Sequence, residues 1–102
     1  MQVCYERYKY NGVELSVWEE EGGEKQRRIA SVDVFFLDQL RRRRQAMVNW
    51  SAMGSQSPEL ARLYGRMLSR AADLADTLNA DNGRLLPDAA TGIEHVVKVA
   101  DF

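Results

Sequence analysis

Apolar and polar side chains alternate through "CYERYKY" and again through "VELSVWEE", and Asn11-Gly12 stands between the two runs. Two alternating runs joined by Asn-Gly predict a β-hairpin with a type I′ turn. With Asn11 and Gly12 in the turn, Tyr10 faces Val13, Tyr8 faces Leu15 and Glu6 faces Val17 on one side. Lys9 faces Glu14 and Tyr5 faces Trp18 on the other. The first side is mainly apolar and is expected to pack on the core. The second carries a charge pair and an aromatic pair, each worth roughly 0.2–1 kcal/mol across strands. "EEEGGE" turns the chain, and "KQRRIAS" returns as a third strand, which the hairpin needs because an isolated one is marginal in water.

Beyond residue 31 a helical reading takes over. Ser31 is placed as the cap of a helix over about residues 32–53, with Asp33 in the first turn and Gly54-Ser-Gln-Ser57 closing it. On a helical wheel Phe36, Leu40, Met47 and Trp50 share a sector. A second helix begins at Ser57-Pro58-Glu59, where a capping serine precedes a proline at the first helical position and an acid, and runs to about Ala80. Leu60, Tyr64, Met67, Ala71, Leu74 and Leu78 form its apolar stripe, widened by Leu63, Leu68 and Ala75. Gly65 costs this helix about 1 kcal/mol relative to alanine and points to a close approach by another backbone. Two long helices with a short linker predict an antiparallel helical hairpin. In the tail, Ile93, Val96, Val97 and Ala100 make a helical face, while Ile93, Val97 and Val99 also fit a strand; the helix is the expectation adopted.

The fold class expected is therefore α+β: an N-terminal antiparallel hairpin or three-stranded meander, a long antiparallel helical hairpin and a short C-terminal helix. All 102 residues are expected to form one domain, with the sheet in 1–31, the helical hairpin in 32–80, and a loop and short helix in 81–102. A content of 45% hydrophobic residues with only two prolines is that of a folding chain. The longest uninterrupted apolar run, Val34 to Leu37, is far short of a membrane span, and "MQVCYERYKY" has no secretory apolar region, so a cytoplasmic protein is expected.

Charge changes the picture more than composition does. The net charge of −1 hides a segregation: residues 1–26 carry three basic and six acidic side chains, residues 27–70 nine and three, residues 71–102 two and six. Eleven of the 14 basic residues are arginine, which suits bidentate pairing with anions. Arg41, Arg42, Arg43 and Arg44 are consecutive, and Arg62, Arg66 and Arg70 stand at steps of four. In an antiparallel helical hairpin these two groups lie at one level and form a positive band.

Chemistry-bearing motifs are scarce. His95 is the only histidine and Cys4 the only cysteine, so no His or thiolate metal cluster forms within one chain. Cys4 beside the tyrosines reads as packing rather than as a nucleophile served by His95. No glycine-rich stretch has phosphate-loop spacing, and Glu19, Glu20, Glu21 and Glu24 lack the alternating ligands of a calcium loop. No enzyme, metal or cofactor is expected. The sequence predicts a non-catalytic interaction module, a bacterial or phage-type accessory regulator or inhibitor. It docks through Arg41, Arg42, Arg43, Arg44, Arg62, Arg66 and Arg70, with Tyr5 and Trp18 as aromatic anchors, on a protein partner or on a second copy through its helices. The rival is a nucleic-acid binder using the same arginines, against which the pI near 5.8 counts.

Overall fold

A computed structural model describes residues 1–9, 12–38, 44–52, 54–80 and 95–102. Among them the elements are β1 (Gln2–Lys9), β2 (Gly12–Glu21), β3 (Glu24–Asp38), β4 (Arg44–Trp50), α1 (Pro58–Ala80) and β5 (His95–Val99). The strands form one antiparallel sheet of order β4-β3-β2-β1-β5, so β4 and β5 are its edges. Helix α1 lies on one face of the sheet, against β3 and β4.

The core face follows from strand alternation. Cys4 on β1, Val13, Leu15 and Val17 on β2, Ala30, Val32 and Val34 on β3, and Ala46 on β4 are all buried beneath α1. The helix answers with Leu63, Met67, Ala71, Leu74, Ala75 and Leu78, the stripe its sequence predicts. Leu15, Val32 and Met67 are fully covered, and burial of each such side chain is worth about 1.5–3 kcal/mol. The start of α1 is capped as expected: the Ser57 hydroxyl accepts the Leu60 N–H at 3.2 Å, and the Ser57 carbonyl accepts that of Ala61.

The helical hairpin is overturned. Residues 32–38 continue β3, and residues 44–50 form β4, so the long first helix over 32–53 does not exist and Ser31 sits inside a strand opposite Ser16. The wheel misled because a spacing of four, as between Phe36 and Leu40, belongs to both the helical and the strand period. The alternation Ala30, Val32, Val34, Phe36 against Ser31, Asp33, Phe35 is a strand pattern, and β-branched and aromatic residues favour it. What decides is tertiary: the wide apolar stripe of α1 is covered by a flat sheet face rather than by another helix. The sheet accordingly extends well beyond residues 1–31.

The C-terminal helix is also overturned, since His95–Val99 pair with β1 as an edge strand. Their β-branched side chains fit the pleat, and the antiparallel partner supplies hydrogen bonds that a five-residue helix would lack. The remainder of the expected tail element, before residue 95, lies outside the described residues.

In the first hairpin the faces are as expected but the register is displaced by two. Tyr8 faces Val13, Glu6 faces Leu15 and Cys4 faces Val17, while Lys9 faces Gly12. Gly12 is thus a strand residue and not a turn residue. It has φ +152°, and a Cβ there would stand 1.9 Å from the Val34 carbonyl oxygen, so the close approach of β3 demands glycine. At the second turn Gly22 and Gly23 both have positive φ, 59° and 82°, which lets β2 reverse tightly into β3.

Candidate functional site

The helical hairpin that would bring the two arginine groups to one level is absent among the described residues. Arg41, Arg42 and Arg43 lie outside the described residues, and Arg44 opens the edge strand β4, its backbone opposite Asp38. Arg62 and Arg66 are exposed on α1, with no antiparallel helix beside them among the described residues. Arg70, itself exposed, is engaged by another element of the same chain. Its Nε donates to Glu6 Oε1 at 2.7 Å and its Nη2 to Glu6 Oε2 at 3.3 Å.

Glu6 is a structural position whose partner the sequence reading passed over. It stands on the core face of β1, only 3% exposed, where an unpaired carboxylate would be strongly disfavoured. The Tyr8 hydroxyl donates to Glu6 Oε2 at 2.5 Å, completing a Tyr8–Glu6–Arg70 cluster. Burial pushes the Glu6 carboxyl up, but the hydrogen bonds from Arg70 and Tyr8 and the Arg70 charge outweigh it and hold the carboxyl below its ordinary range. Burial, then the hydrogen bond to Glu6, pushes the Tyr8 phenol up to about 12. The signal was present in the alternation: a glutamate on the apolar side of a strand requires a cation from another element. The cluster is saturated by its own members and acts as a clasp between sheet and helix.

Cys4 lies on the same face and is buried. Burial and the Asp101 carboxylate push its thiol up, against weaker pulls from Arg66 and the Phe102 backbone, so the thiol form is favoured. Cys4 pairs with Val99 and Tyr8 with His95, which separates Cys4 and His95 by about 14 Å along the strands and rules out their acting together. No group of three His, Cys, Asp or Glu able to hold a metal ion occurs among the described residues, and no helix among them is long and apolar enough to cross a membrane.

The other face of the sheet is where the predicted aromatic residues lie. Tyr5 faces Ser16 on β2 and Lys98 on β5, while Trp18 faces Val3 and Arg28. Tyr5 and Trp18 are therefore diagonal neighbours rather than the directly opposed pair expected. Both are half-buried. The Lys25 ammonium spans them, 4.4 Å from the Tyr5 ring centre and 5.0 Å from that of Trp18. The Tyr5 hydroxyl donates to Glu20 at 2.6 Å, and Trp18 Nε1 donates to the Ser16 hydroxyl at 3.1 Å. These bonds hold the rings in place. Val96 of β5, 49% exposed, lines the same shallow depression.

Further along the face, Lys9 pairs with Glu14 at 3.4 Å, and Asp33 stands opposite Glu14. Burial, then the Glu14 charge, pushes the Asp33 carboxyl up. Phe35 and the exposed Met47 continue the apolar part of the surface toward β4. Arg28 and Lys98 make no ion pair among the described residues. No element among the described residues covers this face. The chain matches no protein-family model, no curated protein and no solved structure.

Proposed function

We propose that this protein is a small non-catalytic interaction module that docks a protein partner on the open face of its sheet. The observation that carries this reading is the one-sided layering: α1 covers one face, while Tyr5, Trp18, Val96, Phe35 and Met47 occupy the other with no element over them among the described residues. Aromatic residues held by hydrogen bonds offer contact area at little entropic cost, as interface anchors do.

Charge selects the partner. Glu14 and Glu20 are already engaged by Lys9 and Tyr5, whereas Arg28 and Lys98 make no ion pair among the described residues and Lys25 holds its charge over the rings. A segment with an apolar side chain flanked by carboxylates complements this arrangement. Nucleic acid fits it less well, because Glu14, Glu20 and Asp33 interrupt the run of cations that successive backbone phosphates need, whereas a single acid-flanked side chain needs only Arg28 and Lys98.

Selection of a random peptide library displayed on phage against the immobilised protein tests the reading. Peptides with acid-flanked apolar motifs are expected, and their binding should fall at least tenfold with Arg28→Glu plus Lys98→Glu. No enrichment, or enrichment insensitive to those changes, overturns the proposal. Salt-dependent binding of single-stranded oligothymidine that quenches Trp18 would assign the face to nucleic acid instead.

A further inference from the structure

The edge strand β4 carries an unfinished hydrogen-bonding ladder. The Asn79 side chain of α1 accepts the Ala46 N–H at 2.7 Å and donates to the Ala46 carbonyl at 3.3 Å. A carboxamide thus occupies the place of a neighbouring strand's peptide group, which shows that the Ala46 backbone points away from β3. Pairing of β3 with β4 runs without irregularity from Asp38/Arg44 to Val32/Trp50, so by the two-residue period Val48 and Trp50 point outward as well. Neither has a further backbone partner among the described residues.

The devices that ordinarily protect an edge are missing from this stretch. Residues 45–51, "QAMVNWS", contain no charge, no proline and no bulge, while Met47 is 39% and Trp50 50% exposed. The opposite edge, β5, is shorter and carries Lys98. The helix flank that overhangs β4 is built mainly of small residues. Ala61, Gly65, Leu68 and Ala72 recur at helical spacing on the side of Asn79, with Asp76 the one charge in that row, and nothing lies within 4 Å of a Cβ built on Gly65. The other charged groups of α1, Glu59, Arg62, Arg66, Arg70 and Asp73, stand away from this row, and Arg70 reaches β1 from the opposite flank.

We propose that β4 pairs antiparallel with β4 of a second copy about a two-fold axis at Asn49, forming a homodimer with one sheet continuous through both chains. Asn79 sets this register by stopping the ladder at Ala46. The remaining outward groups then match themselves: Val48 exchanges both backbone hydrogen bonds with Trp50 of the second copy, and Trp50 with its Val48. Asn49 meets its own copy in a non-hydrogen-bonded pair on the open face. Each exposed indole covers the other copy's half-buried Val48, and the small-residue helix flanks approach across the axis, where Gly65 leaves room for a backbone. A second copy is favoured over a foreign strand because the outward groups of the uncharged edge match themselves about the axis, and a small-residue helix flank lies beside that edge on the same chain. The interface is distinct from the acidic-partner surface and stands or falls separately.

Light scattering of the full chain from micromolar to millimolar concentration tests it, with a mass of two 11.6 kDa chains expected. Asn49→Lys, which opposes two ammonium groups at the axis, and Val48→Pro, which removes an outward N–H, should each yield monomers that keep the wild-type circular dichroism. Asp73→Lys, on the far helix flank, should leave the dimer intact. Asn49→Cys should form an intermolecular disulfide under mild oxidation, because Cα atoms of such a pair lie about 4.5 Å apart, whereas Met47→Cys should not. A wild-type monomer at every concentration overturns the proposal. So does a dimer that survives both edge variants without an Asn49→Cys crosslink.

Discussion

The Arg70 guanidinium meets the Glu6 carboxylate at 2.7 Å, joining residues 64 positions apart in the chain. Glu6 is buried while the Arg70 side chain is 44% exposed, so the arginine caps a charge that the sheet has already taken from water. This asymmetry decides how the two partners respond to substitution.

Arg70→Ala leaves an uncompensated carboxylate and should cost about 2–3 kcal/mol, toward or below the low end for a fully buried pair because water reaches the guanidinium. Glu6→Gln should cost less, and in the Glu6→Gln background Arg70→Ala should have a smaller effect. Urea denaturation of the four proteins in a double-mutant cycle measures the coupling. Additive effects would show that the pair does not act as a unit.

The same cluster makes stability depend on pH at both extremes. Glu6 titrates below its ordinary range in the folded protein, so its contribution is complete above that range and is lost as pH falls through the lowered value. Tyr8 is raised from 10 to about 12, so its contribution is complete below pH 10 and is lost as pH rises toward 12. Denaturation midpoints across pH should show a shallower acid limb for Glu6→Gln and a shallower alkaline limb for Tyr8→Phe. Unchanged slopes would contradict the assignment.

Gly12→Ala should be among the most damaging small changes in the sheet. The added methyl would enter the Val34 carbonyl oxygen, so β2 and β3 must part, at a cost of about 2–4 kcal/mol. Thermal unfolding of this variant beside wild type provides the check, and an unchanged midpoint would mean that the strands are not so closely apposed.

Ser57→Ala removes the hydroxyl that accepts the Leu60 N–H and should cost about 1 kcal/mol. Hydrogen exchange should quicken first at Leu60 and Ala61, in the opening turn of α1.

Helix α1 is the element whose limits and apolar stripe were legible in the chain itself. Ser57-Pro58-Glu59 starts it, and Leu63, Met67, Ala71, Leu74 and Leu78 mark its buried side; both signals act within a turn or two of the backbone. The facing of the first two strands was legible too, because alternation alone puts Cys4, Glu6 and Tyr8 on one side and Tyr5 on the other. Tertiary structure decided the rest. Whether residues 32–50 coil or extend depends on partners distant in sequence, and so does the pairing of His95–Val99 with β1. The close approach of the Val34 carbonyl that makes Gly12 a strand glycine comes from β3, and the fate of Arg70 was decided by a carboxylate on another element. Caps and helical periods are local energies, written in neighbouring residues. Strand pairing and buried charge are non-local, and they become favourable only after the chain has brought the partners together.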